Sequence, residues 1–98
     1  MSTSIRFLPI AQFEYDEAAY WYDQQRPGQG DDFVTQVRKA LDEIATQPDR
    51  YPVSVRGIRQ APVIRYPYAV CYRVRNGRIM VVAVFHQSRN PADWQSRS

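Results

Sequence analysis

The chain has 98 residues, 44% of them apolar and 13% aromatic, with a formal net charge of +3. That length supports one domain over residues 1–98 with its own core and leaves no room for two. Nothing in it is long and apolar enough to span a membrane, and one Cys with one His makes neither an internal disulfide nor a zinc site. The opening Met1-Ser2-Thr3-Ser4-Ile5-Arg6 lacks the apolar centre of a signal peptide, so the expectation is a soluble cytoplasmic protein without membrane, metal or cofactor.

Ile5 to Leu8 read as a short first strand, ended by Pro9, which has no N–H for a ladder. From Ala11 the period becomes helical, with Ala11, Tyr15, Ala18, Ala19 and Tyr22 on one face. Tyr20-Trp21-Tyr22 cannot all point inward, so at least one of them should be exposed to a partner. Arg26-Pro27-Gly28-Gln29-Gly30 turns the chain. Asp31 or Asp32 then caps a second helix carrying a Phe33, Val37, Ala40, Leu41 and Ile44 stripe, and Pro48 ends it. Residues 11–47 thus form a helical hairpin.

The second half reads as strand. Ile58 to Ile64 form one candidate, with Pro62 marking an edge or a bulge. Tyr68 to Val74 form the next, followed by Asn76-Gly77, a pair suited to a two-residue hairpin turn. Ile79 to Phe85 is apolar at every position, as in a central strand covered on both faces. Pro91 opens a last short helix through Trp94. The order β-α-α-β-β-β-α is an α+β fold, a helical hairpin packed on an antiparallel sheet, with the other face and the C-terminal rim carrying arginines.

Those arginines belong to a division that the net charge hides. Residues 1–49 hold nine acids against four bases, a balance of −5. Residues 50–98 hold nine arginines against one acid, Asp93, a balance of +8. Such a half needs an anion: nucleic acid, an acidic protein segment, or the chain's own acidic half. Twelve of the thirteen bases are Arg, whose planar fork matches phosphate and carboxylate oxygens in pairs.

No glycine loop, HExxH, CxxC or Ser-His-Asp arrangement is present. The chemistry-bearing constellation is His86 and Arg89 after the central strand, with Arg59, Arg65, Tyr66, Tyr68 and Tyr72 on or near its neighbours. Cleaving RNA through its own 2′-hydroxyl needs a proton acceptor, a proton donor and cations for the phosphorus oxygens. His86 can be acid or base near neutrality, and Arg65 and Arg89 can clamp a phosphate, so these three are the catalytic candidates if the chain is a nuclease. A clear carboxylate is missing. The candidates for a partner-binding surface are Arg59, Arg65, Tyr66, Arg73, His86, Arg89 and Trp94, although Trp94 also suits a core plug beside the last strand.

Taken together, several segments resemble the RelE/ParE superfamily of toxins from bacterial type II toxin–antitoxin pairs, also called plasmid stabilisation proteins. They are Trp21-Tyr22, Pro27-Gly28-x-Gly30, Phe33, Pro48-x-x-Tyr51-Pro52, Arg65-Tyr66-Pro67-Tyr68-x-Val70-x-Tyr72 and Ala83-Val84-x-His86-x-x-Arg89-x-Pro91-x-x-Trp94. The resemblance covers nearly the whole chain and implies a cognate antitoxin as partner. RelE-like members cut messenger RNA on the ribosome, whereas ParE-like members poison DNA gyrase without nuclease chemistry. The nucleases typically carry Arg after the aromatic residue that begins the third strand; here Tyr68 is followed by Ala69. Arg89 matches a second nuclease arginine, but the lysine pair of some members has no counterpart. The resemblance therefore favours a ParE-like gyrase poison that is not an enzyme. A RelE-like endoribonuclease acting on ribosome and mRNA is the alternative, and a non-toxic, antitoxin-binding relic is a third. The antitoxin is expected to meet some of Arg59, Arg65, Arg73 and Arg89 with carboxylates while an apolar helix lies on the sheet or hairpin. The oligomeric state stays open.

Overall fold

A computed structural model describes residues 4–97; the signal-peptide reading of Met1 to Thr3 and the terminal residue 98 lie outside them. Eight elements follow one another: strand β1 (Ile5–Phe7), helices α1 (Pro9–Gln25) and α2 (Gln29–Thr46), a single 3₁₀ turn (Val55–Gly57), strands β2 (Ile58–Pro62), β3 (Tyr68–Arg75) and β4 (Arg78–His86), and helix α3 (Ala92–Gln95). The sheet order is β1-β4-β3-β2. Pairs β2–β3 and β3–β4 are antiparallel as expected, but β1 joins β4 in parallel. The sheet is therefore mixed. The cause is topological: the helical hairpin carries the chain back across the sheet before its strands begin, which leaves β1 pointing along its neighbour.

Helix α1 starts at Pro9, two residues before the periodic pattern suggested. Proline lacks only a donor that the first helical turn cannot use, so it opens the helix as well as stopping the strand. Helix α2 begins at Gln29 rather than behind an aspartate cap. Gly28, at φ 89°, occupies the cap position, and the carboxylate that accepts from Gly28 and Gly30 N–H groups is Asp23 of α1, at 3.0 and 3.3 Å. Asp31 and Asp32 lie in the first turn, where negative charge still complements the helix dipole. The helices approach closely here: a Cβ on Gly30 would stand 2.5 Å from the Ala19 carbonyl oxygen.

The core between hairpin and sheet buries Phe33, Val37 and Ile44 of α2 completely, against Val70 and Tyr72 of β3 and Ile79 and Val81 of β4. Each such side chain contributes roughly 1.5–3 kcal/mol through burial. Leu41 sits at the margin of this stripe and is only partly buried, while Ala40 turns inward. Asn76 (φ 51°) and Gly77 (φ 70°) make the two-residue turn between β3 and β4 with both central residues left-handed. Strand β2 ends at Pro62 on the sheet's edge, where a missing donor costs no ladder bond.

A second core lies on the sheet face away from the hairpin. Cys71, Val82, Ala83, Phe85 and Ile58 are buried there under Trp94. Opposite Cys71 and Tyr72 the register jumps from Ala83 to Val81, so Val82 is an extra residue in β4. Beyond β1, this bulged stretch of β4 has no strand on its outer side. Glu14 of α1 accepts from the Val84 N–H at 3.2 Å, and Arg97 donates to the Val82 carbonyl at 3.0 Å. An ion pair between the two closes that edge, at 2.9 Å between Arg97 Nη1 and Glu14 Oε1.

Candidate functional site

The division of charge has a direct structural counterpart. Among the described residues there are four ion pairs, Arg50–Glu43, Arg59–Asp49, Arg65–Asp32 and Arg97–Glu14, and each joins an arginine of the basic half to an acid of the acidic half. The chain's own acids thus answer part of the basic half, and which arginines stay free decides where a partner can bind.

Arg59 and Arg65 are among those answered. Arg59 lies on the hairpin side of the sheet, donating to the Tyr51 and Asp49 carbonyls, with the Asp49 carboxylate 3.7 Å away. Arg65 is held at φ 70° in the loop between β2 and β3, a left-handed conformation that costs a residue with a side chain about 1–2 kcal/mol. From there it reaches Asp32 at 2.8 Å, beside a Tyr66 hydroxyl that donates to the same carboxylate at 2.6 Å. The Tyr66 hydrogen bond, with Arg65 assisting, pulls the Asp32 carboxyl below its ordinary range. Neither arginine lies on the far face of the sheet, where the sequence suggested them.

His86 and Arg89 fall elsewhere, in a hollow of ≈ 760 Å3 between α1 and the C-terminal end of β4. Phe13, Glu17, Tyr20 and Trp21 wall it from the helix, and Pro67 and Tyr68 from the sheet. The His86 ring stands edge-on to Tyr68, centroids 5.0 Å apart. The Ser88 N–H donates to its Nδ1 at 3.1 Å, which leaves the proton of the neutral ring on Nε2. Burial raises the Tyr68 phenol above its ordinary value, against the opposing charge of Arg89. Tyr68 also belongs to a ring cluster with Tyr22, Phe33 and Tyr66, with centroid distances from 4.8 to 6.1 Å, that fixes the hollow's inner wall.

The remaining candidates separate further. Arg73 is buried on the sheet face away from the hairpin. Trp94 is 2% exposed and packs on Phe85, so it plugs the second core and offers no surface to a target. Of the nuclease trio, His86 and Arg89 line the hollow together, while Arg65 is not among its lining residues and is paired with Asp32. What sequence reasoning left undefined is the aromatic face of α1. Phe13, Tyr20 and Trp21 are 59%, 64% and 55% exposed, and with Ile10 they form a second apolar stripe pointing away from the core. The crowded Tyr20-Trp21-Tyr22 run was its only signal.

The family model for the ParE toxin of type II toxin–antitoxin systems (parDE) matches residues 5–91. The chain belongs to the ParE toxin family. Its fold is similar to a solved structure described as a chromosomal ParDE toxin–antitoxin system from P. aeruginosa, at 17% identity and a TM-score of 0.75, over 87% of this chain and 96% of that one. Among curated proteins none matches the sequence. Family and fold agree with the resemblance carried by the sequence, and a ParE-family toxin has an antitoxin for its partner. Among the described residues no group of acids, His and Cys could hold a metal ion, and no helix is long and apolar enough to cross a membrane.

Proposed function

We propose that this ParE-family toxin poisons DNA gyrase without nuclease chemistry. One observation carries the reading: Ala69, the residue after Tyr68, is 2% exposed and sits opposite Phe85 in the strand register. A nuclease of the superfamily would place an arginine there to hold a phosphate, and here the position carries a buried methyl group instead. Phosphoryl chemistry depends on preset cations around the reacting oxygens, and among the described residues that line the hollow with His86 the one arginine is Arg89. In this reading His86 shapes the end of β4 and transfers no proton.

The antitoxin docks an apolar helix on the outward stripe of α1, covering Phe13, Tyr20 and Trp21, and sets a carboxylate against Arg89 at the mouth of the hollow. Exposed aromatics flanking a cationic rim suit an amphipathic helix bound in a groove. Arg59 and Arg65 already have internal partners and contribute less. Association quickens at low salt because unlike charges steer the encounter. Inducing the toxin in cells tests the target: an SOS response with filamentation and protein-linked DNA breaks supports gyrase, and early loss of translation with cut messages contradicts it.

A further inference from the structure

The sheet face away from the hairpin holds an arrangement that none of these roles uses. In the strand register Arg6 lies beside Met80, Met80 beside Arg73, and Arg75 directly opposite Arg78. Arg6, Arg73, Arg75 and Arg78 thus share one patch on three adjoining strands, about 10 Å across at the usual strand spacing. They line a hollow of ≈ 900 Å3 floored by Met80 and Val82, with no acid among its described lining residues. All four ion pairs of the described residues lie elsewhere. Arg73 is 8% exposed; its Nη2 donates to the Arg97 carbonyl at 3.3 Å, and its Nε has no partner among the described residues. Burial, with Arg75 and Arg56 close by, pulls the Arg73 pKa down. Like charges facing each other across a strand pair destabilise it, and an unpartnered buried donor costs more. An incoming anion offsets the like-charge repulsion.

We propose that this hollow binds the phosphodiester backbone of a nucleic acid. Each guanidinium fork matches two phosphate oxygens, and four forks within about 10 Å call for a ligand whose negative charge repeats on that scale. The large exposed aromatics that a protein partner would cover lie on α1 and not here. The contact is to backbone and carries no sequence preference. It does not rest on the gyrase reading: loss of binding in the test below leaves that reading intact, because supercoiling is measured separately.

The test is fluorescence anisotropy of the full chain with a labelled 20-base-pair duplex across a salt series. Four neutralised phosphates predict that log K falls against log salt with a slope of about −3.6. Arg75→Gln with Arg78→Gln, both at exposed positions, brings the slope to about −1.8, while Arg38→Gln with Lys39→Gln on α2 leaves it near −3.6. Arg73→Gln adds one further step if that variant keeps its fold by circular dichroism. Three results overturn the proposal: an unchanged slope in the Arg75/Arg78 variant, competition by a poly-glutamate peptide as strong as by unlabelled duplex, or displacement by inorganic phosphate at equal phosphate concentration. The last would mark a site for single anions.

Discussion

Glu14 and Arg97 are 83 residues apart and meet at two points, Arg97 Nη1 on Oε1 at 2.9 Å and Nη2 on Oε2 at 3.1 Å. Each also holds one backbone group of β4, so a single pair fastens the first helix and the C-terminal tail to the uncovered edge of the central strand. Both side chains are more than four-fifths buried. Arg97→Ala is expected to cost about 1.5–3 kcal/mol, because it leaves a desolvated carboxylate short of donors. Urea unfolding of Arg97→Ala, Glu14→Gln and the double variant measures it. Strictly additive losses would show that the two do not act as a pair.

The α2 stripe yields a graded prediction. Ile44→Ala is expected to destabilise by ~2–5 kcal/mol, since Ile44 is fully buried, and Leu41→Ala by clearly less, since Leu41 is only partly covered. Equal losses in denaturant unfolding would mean that the hairpin is rotated relative to this packing.

Those two residues also show where sequence reading stops. Period 3.6 placed Ala40, Leu41 and Ile44 on one face but could not say where its edge falls, because that depends on how the hairpin tilts on the sheet. The strands, the Asn76-Gly77 turn and both helices were legible from local pattern. The parallel pairing of β1 and the Asp23 cap were not, since each is made with a distant element. The site divides in the same way. Sequence placed His86 and Arg89 together, one strand end apart. It could not reveal that Asp32 and Asp49 answer Arg65 and Arg59, because pairing across 33 and 10 residues follows only from the completed fold.

Asp32 makes one of these pairings testable by pH. Its folded pKa is lowered chiefly by the Tyr66 hydroxyl, so its contribution is present above the ordinary carboxylate value of 3.8 and is lost as pH falls through the folded one. Asp32→Asn should flatten the acid side of the stability profile below about pH 4 and leave the neutral side parallel. An acid limb identical to that of the parent would rule out Asp32 as a contributor.

Cys71 makes the complementary prediction at high pH. Burial pushes its thiol up to about 12, helped by the charge of Glu14 and opposed by Arg97. The unfolded thiol ionises near 9.0, so the stability it lends is complete below that pH and declines as pH rises towards about 12. The same burial leaves the native thiol inert at pH 8, reacting with iodoacetamide only as the chain unfolds. Rapid alkylation of the folded protein would contradict the packing of the second core.

The target itself is tested most directly by combining purified toxin with DNA gyrase and relaxed plasmid, in parallel with ribosomes carrying a message, for the parent and His86→Gln. The proposed reading predicts inhibited supercoiling and trapped, protein-linked DNA breaks with both proteins at similar toxin concentrations, and intact message throughout. Cleavage of ribosome-bound message that falls about 10²–10⁴-fold in the folded His86→Gln variant, the usual worth of a general acid or base, would contradict it.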